Sequence, residues 1–400
     1  MSEFKDLNKV VGFSTKAIHD GFVAENPWKA LNPPIFMTSS FEFSSIEEAD
    51  AVFRGESEGF VYTRGRNPTT EILEKKIASL EGGVDSVAFA SGMGAIAATI
   101  LSFVEAGDHI VAGKSLYGSA YGFLNKFVKR YGVQVSFVDT GDLKQVEEAL
   151  CDKTKLIYLE TPSNPVLKIT DIKAVCTLAK ERGIDVVVDN TFATPYWQKP
   201  LLLGATAVVH SATKFFSGHG DVIAGVTTSK SQDYIDRLRY GFMCELGSPI
   251  SPFNAWLLIR GLKTLEMRME RHGENAMLLA EYLQDHDKVE KVWYPGLKSD
   301  EGYDVARSQM MGYGAVVSFT LKGGPEKAKE LLTKFKMCKL AVSLGDAETL
   351  VESPAFMTHR DYDAASLEEF GLSSSMIRVA VGLENSKDII IDFYEALNEI

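Results

Sequence analysis

Cysteine is scarce in this 400-residue chain: Cys151, Cys176, Cys244 and Cys338 stand far apart, with no CxxC spacing. That scarcity excludes a disulfide framework and a structural zinc site, and it fits a reducing compartment. No apolar run approaches the length of a membrane span, and the polar start MSEFKDLNKV has no signal-peptide core. A cytoplasmic protein is therefore expected, with no membrane partner. Positive charge is in deficit: 42 Lys and Arg face 54 Asp and Glu, a net charge of −12. A phosphate backbone needs a basic footprint and no basic run supplies one, so nucleic acid is excluded as a partner. Neither GxGxxG nor GxxxxGK[ST] occurs in a strand-to-helix context, which disfavours a nucleotide site. Repeats, low-complexity linkers and coiled-coil heptads are missing too.

What is present is an ordinary globular composition, 45% hydrophobic and 24% charged. The length exceeds what one hydrophobic core usually serves, so two domains plus an arm are expected. Residues 1–64, rich in Pro, Ser and aromatics (NPPIFMTSSFEF), are weakly periodic and read as an extended arm reaching over a neighbouring subunit. A helix is expected from Asn67-Pro68-Thr69, with apolar Ile72, Leu73, Ile77 and Leu80, ending at Gly82-Gly83. Strands and helices then alternate through SVAFAS, HIVAG, VQVSFVD, KLIYLE, DVVVDN and AVVHSAT. That order implies a mostly parallel sheet covered on both faces, residues 65–262 forming the large domain. A long helical pattern from about 253 leads into a smaller C-terminal α/β domain, 263–400, with strands at GAVVSFTL, CKLAVS and MIRVAVG.

Ligands on such sheets collect at the carboxyl ends of strands. Two apolar runs stop there abruptly: Val186-Val187-Val188 at Asp189-Asn190, and Val208-Val209 at His210-Ser211-Ala212-Thr213-Lys214. Taken alone, such a Lys is a solvated loop residue and such an Asp a helix cap. Together they offer an amine for a Schiff base, hydroxyls for a phosphate and a carboxylate for a pyridinium nitrogen, which describes a pyridoxal phosphate (PLP) site. Ser91-Gly92-Met93-Gly94, between a strand and a helix, can expose backbone N–H groups to an anion. Tyr117 can lie on a planar ring and work as an acid or base, or be a half-buried core tyrosine. Arg378 interrupts the apolar run Met376–Gly382. It suits an amino acid's α-carboxylate, and a solvated strand edge equally.

These residues resemble the Cys/Met-metabolism family of PLP-dependent trans-sulfuration enzymes, of the aspartate-aminotransferase-like (type I) fold. The likeness runs nearly end to end, through YTRGRNPTT at 62–70, ASGMGA at 90–95, LYG at 116–118, ETPSNP at 160–165, DNTFATPYWQKPL at 189–201, HSATKFFSGHGDVIAG at 210–225, SLGDAETL at 343–350 and RVAVGLE at 378–384. The resemblance implies a homotetramer of dimers with shared active sites. It implies that Lys214 carries the cofactor, Asp189 pairs its ring nitrogen and Tyr117 stacks on the ring. Ser91, Gly92, Met93, Ser211 and Thr213 would hold the phosphate, which Tyr62, Thr63 and Arg64 would reach from the neighbouring subunit. Asn164 would sit near the ring hydroxyl, and Arg378 with Ser343 would bind the substrate carboxylate, Lys214 and Tyr117 being catalytic.

The implied reaction is γ-elimination of L-methionine or homocysteine to 2-oxobutanoate, ammonia and a thiol, the chain looking most like the methionine γ-lyases. Val342 stands where cystathionine-handling members often carry Glu. Ser119 stands where the methionine γ-lyases usually carry Cys, and Met243-Cys244 replace their Lys-Asp pair. γ-Replacement, as in O-acylhomoserine sulfhydrylases and cystathionine γ-synthases, shares the chemistry and is the alternative. A non-catalytic regulatory protein on the same fold ranks below both.

Overall fold

The computed structural model describes residues 12–22, 29–358 and 372–400. Its centre is a seven-stranded sheet: β1 (Asp85–Phe89), β2 (His109–Gly113), β3 (Gln134–Val138), β4 (Thr154–Glu160), β5 (Asp185–Asp189), β6 (Ala207–His210) and β7 (Gly225–Ser229). The spatial order is β1-β7-β6-β5-β4-β2-β3, with β7 antiparallel to both its neighbours and the other pairings parallel. The mostly parallel sheet expected from the sequence is thus present. β5 and β6 are buried Val-rich runs, because helices cover both faces and leave no solvated side.

Helix 68–81 begins as its residues dictate. The buried Asn67 side chain accepts from the Thr69 N–H at 2.9 Å, Pro68 takes the first helical position, and Gly82 closes the helix at φ 76°. The segment before it is less uniform than its weak periodicity suggests: it holds short helices at Phe13–His19 and Ile46–Phe53. The long helical pattern from about 253 is two helices, Pro252–Leu262 and Leu265–Gln284. The break is held by Arg268, whose guanidinium donates to the carbonyls of Gly261 at 2.8 Å and Phe215 at 2.7 Å.

A second sheet has the order β10-β11-β12-β9-β8, formed by β8 (Val289–Trp293), β9 (Val316–Leu321), β10 (Lys339–Leu340), β11 (Leu350–Glu352) and β12 (Met376–Ala380). All its pairings are antiparallel except β10 with β11. Helices 265–284 and 386–398 pack on it through Leu279, Leu283, Phe393 and Leu397 against Phe319 and Ile377. The two sheets meet at the loop after β4, where Ser318 of β9 donates to the Pro165 carbonyl at 2.6 Å. That contact brings a side chain from the middle of β12 to the carboxyl ends of the large sheet's strands.

Candidate active site

A cavity of about 410 Å³ opens at those strand ends. Its lining includes Ser91, Gly92, Met93, Tyr117, Asn164, Asp189, Ser211, Thr213, Lys214, Ser343 and Arg378, so eleven residues singled out in the sequence converge on one space. Tyr62, Thr63 and Arg64 do not line it. Tyr62 is 47% exposed, the Thr63 hydroxyl donates to the Thr38 carbonyl, and Arg64 donates to the Cys244 carbonyl at 3.2 Å. Ser119 is also exposed and outside the lining.

The strand ends supply the floor. Asp189 closes β5, and its Oδ1 accepts from both the N–H and the hydroxyl of Thr191, while the Tyr158 hydroxyl donates to Oδ2 at 3.4 Å. Burial raises its carboxyl above the ordinary range, and the Thr191 donors oppose the rise. Lys214 follows β6, and its Nζ donates to the Ser343 hydroxyl at 3.0 Å. Burial, then the Arg378 charge, lowers its amine to about 8. An amine so placed deprotonates readily, as a Schiff-base nucleophile must.

One wall is an anion cradle. Ser91 caps helix 92–101 by accepting from the Gly94 N–H at 3.0 Å. A Cβ on Gly92 would lie 2.8 Å from the Ser211 hydroxyl oxygen, so only glycine leaves the gap between this helix start and the β6 loop. Thr213 is tied to the chain, donating to the Ala224 carbonyl at 3.1 Å and accepting its N–H at 3.0 Å.

The opposite wall comes from the second sheet. Arg378 is 3% exposed. It donates to Asn164 Oδ1 at 3.0 Å and to the Ser343 carbonyl at 2.9 Å, and it pairs with Glu352 at 3.0 Å. Its Nε is buried without a partner among the described residues, a donor still to be satisfied. Ser343 is held at φ 109°, a left-handed conformation that costs a non-glycine residue roughly 1–3 kcal/mol. Its carbonyl and hydroxyl are thereby presented to Arg378 and Lys214.

Sequence reasoning missed Glu160, Thr191 and Glu352. Glu160 had a signal, since Leu156-Ile157-Tyr158-Leu159 ends on it as Val186-Val187-Val188 ends on Asp189. Thr191 reaches the site through its hydrogen bonds to Asp189 and Glu352 through its ion pair with Arg378, contacts that no local pattern announces.

An amine of lowered pKa, a buried carboxylate, an anion cradle and a guanidinium around one cavity match the donor set that PLP and an amino acid require. Among the described residues no group of side chains could hold a metal ion, and no helix is long and apolar enough to cross a membrane.

The chain is 48% identical over 394 residues to L-methionine gamma-lyase of Fusobacterium nucleatum subsp. nucleatum, covering 98% of this chain and 99% of that protein. It is 39% identical to a cystathionine beta-lyase of Lactococcus lactis subsp. cremoris, covering 98% of this chain and 100% of that one. The crystal structure of metB from Corynebacterium glutamicum superposes with a TM-score of 0.93 at 40% identity, covering 98% of each chain. Residues 14–398 match the family described as Cys/Met metabolism PLP-dependent enzyme, and with that span the chain belongs to that family and PLP is its cofactor.

Proposed function

We propose that this enzyme performs γ-elimination on a sulfur amino acid, L-methionine or homocysteine, releasing 2-oxobutanoate, ammonia and a thiol. The observation that carries this reading is the composition of the cavity wall. Arg378 offers one guanidinium, and Ile96, Phe192, Ile223, Val342 and Leu344 make much of the remaining lining apolar. An α-carboxylate suits the first and an uncharged thioether chain the second. A cystathionine-type substrate carries a distal ammonium and meets an apolar side chain at Val342. The name L-methionine gamma-lyase carried by the Fusobacterium relative supports the same choice.

When bound, PLP supplies an electron sink that stabilises carbanions on the substrate. In this reading Lys214 would anchor it and Asp189 would pair with its ring nitrogen. Asn164 would sit near its ring hydroxyl. The Gly92 and Met93 backbone, Ser91, Ser211 and Thr213 would hold its phosphate, with Tyr62, Thr63 and Arg64 reaching in from a neighbouring subunit. Arg378 and Ser343 orient the substrate carboxylate. Lys214 would take the Cα proton, pass it on to the cofactor–substrate adduct and so open the way to loss of a Cβ proton, whose electron pair expels the thiol from Cγ. Water then completes the release of 2-oxobutanoate and ammonia, and the lowered pKa of Lys214 suits this proton traffic. Tyr117, 40% exposed at the cavity, donates a proton to the departing sulfur. Residues 1–64 as the reaching arm, 65–262 as the cofactor domain, 263–400 as the small domain and a cytoplasmic homotetramer belong to the same proposal.

The test is 2-oxobutanoate release from L-methionine by the PLP-loaded protein, with O-acetylhomoserine plus sulfide run in parallel. Rapid release from methionine is expected. Slow release, with homocysteine accumulating in the parallel reaction, would instead establish γ-replacement.

A further inference from the structure

Glu160 lies in the cavity wall, 5% exposed, and no step above uses it. It ends β4 directly opposite Asp189 at the end of β5, so the two carboxyl groups share one face of the sheet. Its Oε2 accepts from the Tyr117 backbone N–H at 2.9 Å, and the Asn164 N–H donates to the same carboxyl group. Tyr117 and Asn164 sit on different loops, after β2 and after β4. The Glu160 carboxyl is the bridge between them, and the Ser115 hydroxyl closes the junction by donating to the Asn164 carbonyl at 3.2 Å.

We propose that Glu160 is a positioning residue of the active site, whose carboxyl oxygen fixes the Tyr117 and Asn164 backbones and so sets where the tyrosine ring stands over the cofactor. This rests on the placement of Tyr117 against the PLP ring. The role needs an acceptor oxygen and not a charge. Burial, reinforced by the Asp189 carboxylate, holds the Glu160 proton far above the ordinary carboxylate range, while Arg378 opposes the rise. A protonated Glu160 keeps one oxygen for the Tyr117 N–H and avoids a second negative charge beside Asp189. It is then equivalent in shape and hydrogen bonding to glutamine.

That equivalence gives the test, made on PLP-loaded Glu160→Ala and Glu160→Gln proteins. The readouts are the visible circular dichroism of bound PLP, kcat and KM with L-methionine, and thermal melting. Visible circular dichroism reports the asymmetric surroundings of the ring and does not depend on which substrate is turned over. Glu160→Ala is expected to change that signal and to lower kcat about 10–100-fold, the scale of a misplaced catalytic group. Glu160→Gln is expected to restore the signal and to recover most of the lost kcat. An unchanged signal in Glu160→Ala would overturn the proposal, as would a Glu160→Gln protein with the signal of Glu160→Ala. Should Glu160→Ala fail to melt cooperatively, Glu160→Gln decides alone, because a role resting on charge would leave its ring signal altered. If methionine proves not to be the substrate, the circular dichroism comparison still stands.

Discussion

Lys214 is the residue around which the others are arranged. Its ammonium would be costly this deep, although Asp346 and Glu352 favour its charge. An amine kept near neutrality beside Ser343 is a nucleophile waiting for an aldehyde. Reduction of the holoenzyme with borohydride should fix the mass of PLP on the peptide carrying Lys214, as read by mass spectrometry. In Lys214→Ala the cofactor should bind only reversibly, no peptide should gain mass, and turnover should vanish. Full activity in that variant would remove Lys214 from its role. Asp189 was legible in the sequence because it ends an uninterrupted apolar run, and Lys214 because it closes the polar stretch His210-Ser211-Ala212-Thr213-Lys214 that follows another. Glu160 ended such a run and escaped notice, since a lone carboxylate there suggests no partner. The φ of Ser343 was beyond reach, because its conformation follows from Arg378 and Lys214, 35 and 129 residues away along the chain.

At the scale of elements, the helix 92–101 and the loop after β6 approach so closely that a methyl group decides the fit. A Cβ at Gly92 would lie 2.8 Å from Ser211 Oγ, 2.9 Å from its Cβ and 3.1 Å from its Cα, and the backbone atom cannot swing aside. Gly92→Ala should therefore weaken PLP binding by about tenfold or more, roughly 1.4 kcal/mol, as read by titrating the apoprotein with PLP. Unchanged affinity would remove this helix start from the phosphate site. The central strands were read correctly because Val and Ile runs have few alternatives. β7 was missed because Gly225-Val226-Thr227-Thr228-Ser229 looks polar. Its burial is possible because Thr227 meets the Thr99 hydroxyl and Thr228 the Ser86 hydroxyl, each at 2.8 Å. β8 and β11 escaped for other reasons: one is a partly exposed edge strand and the other is three residues long.

For the whole molecule, the position of Tyr62, Thr63 and Arg64 carries the argument. The alternation of apolar strands and helices pointed to the mostly parallel α/β sheet that the structure holds, and the family likeness alone put these three residues at a neighbour's phosphate. In the single chain they lie outside its cavity, with Arg64 held by Cys244 and its guanidinium 5.9 Å from the Tyr62 ring centroid. A basic side chain beside an exposed tyrosine, bonded to the Cys244 carbonyl and outside the cavity of its own chain, is what a shared site would leave on each subunit. Complementation tests this directly. Arg64→Ala should lose PLP affinity and activity while keeping Lys214, and Lys214→Ala should be inactive while keeping Arg64. Unfolding and refolding the two variants together creates mixed dimers in which one site takes Lys214 from one subunit and Arg64 from the other. That site is intact and its twin carries both lesions, so random pairing should restore about a quarter of wild-type activity. If Arg64 instead serves the site of its own chain, every site in the mixture carries one lesion. Activity would then stay at the sum of the two variants, and the arm would lose its proposed role.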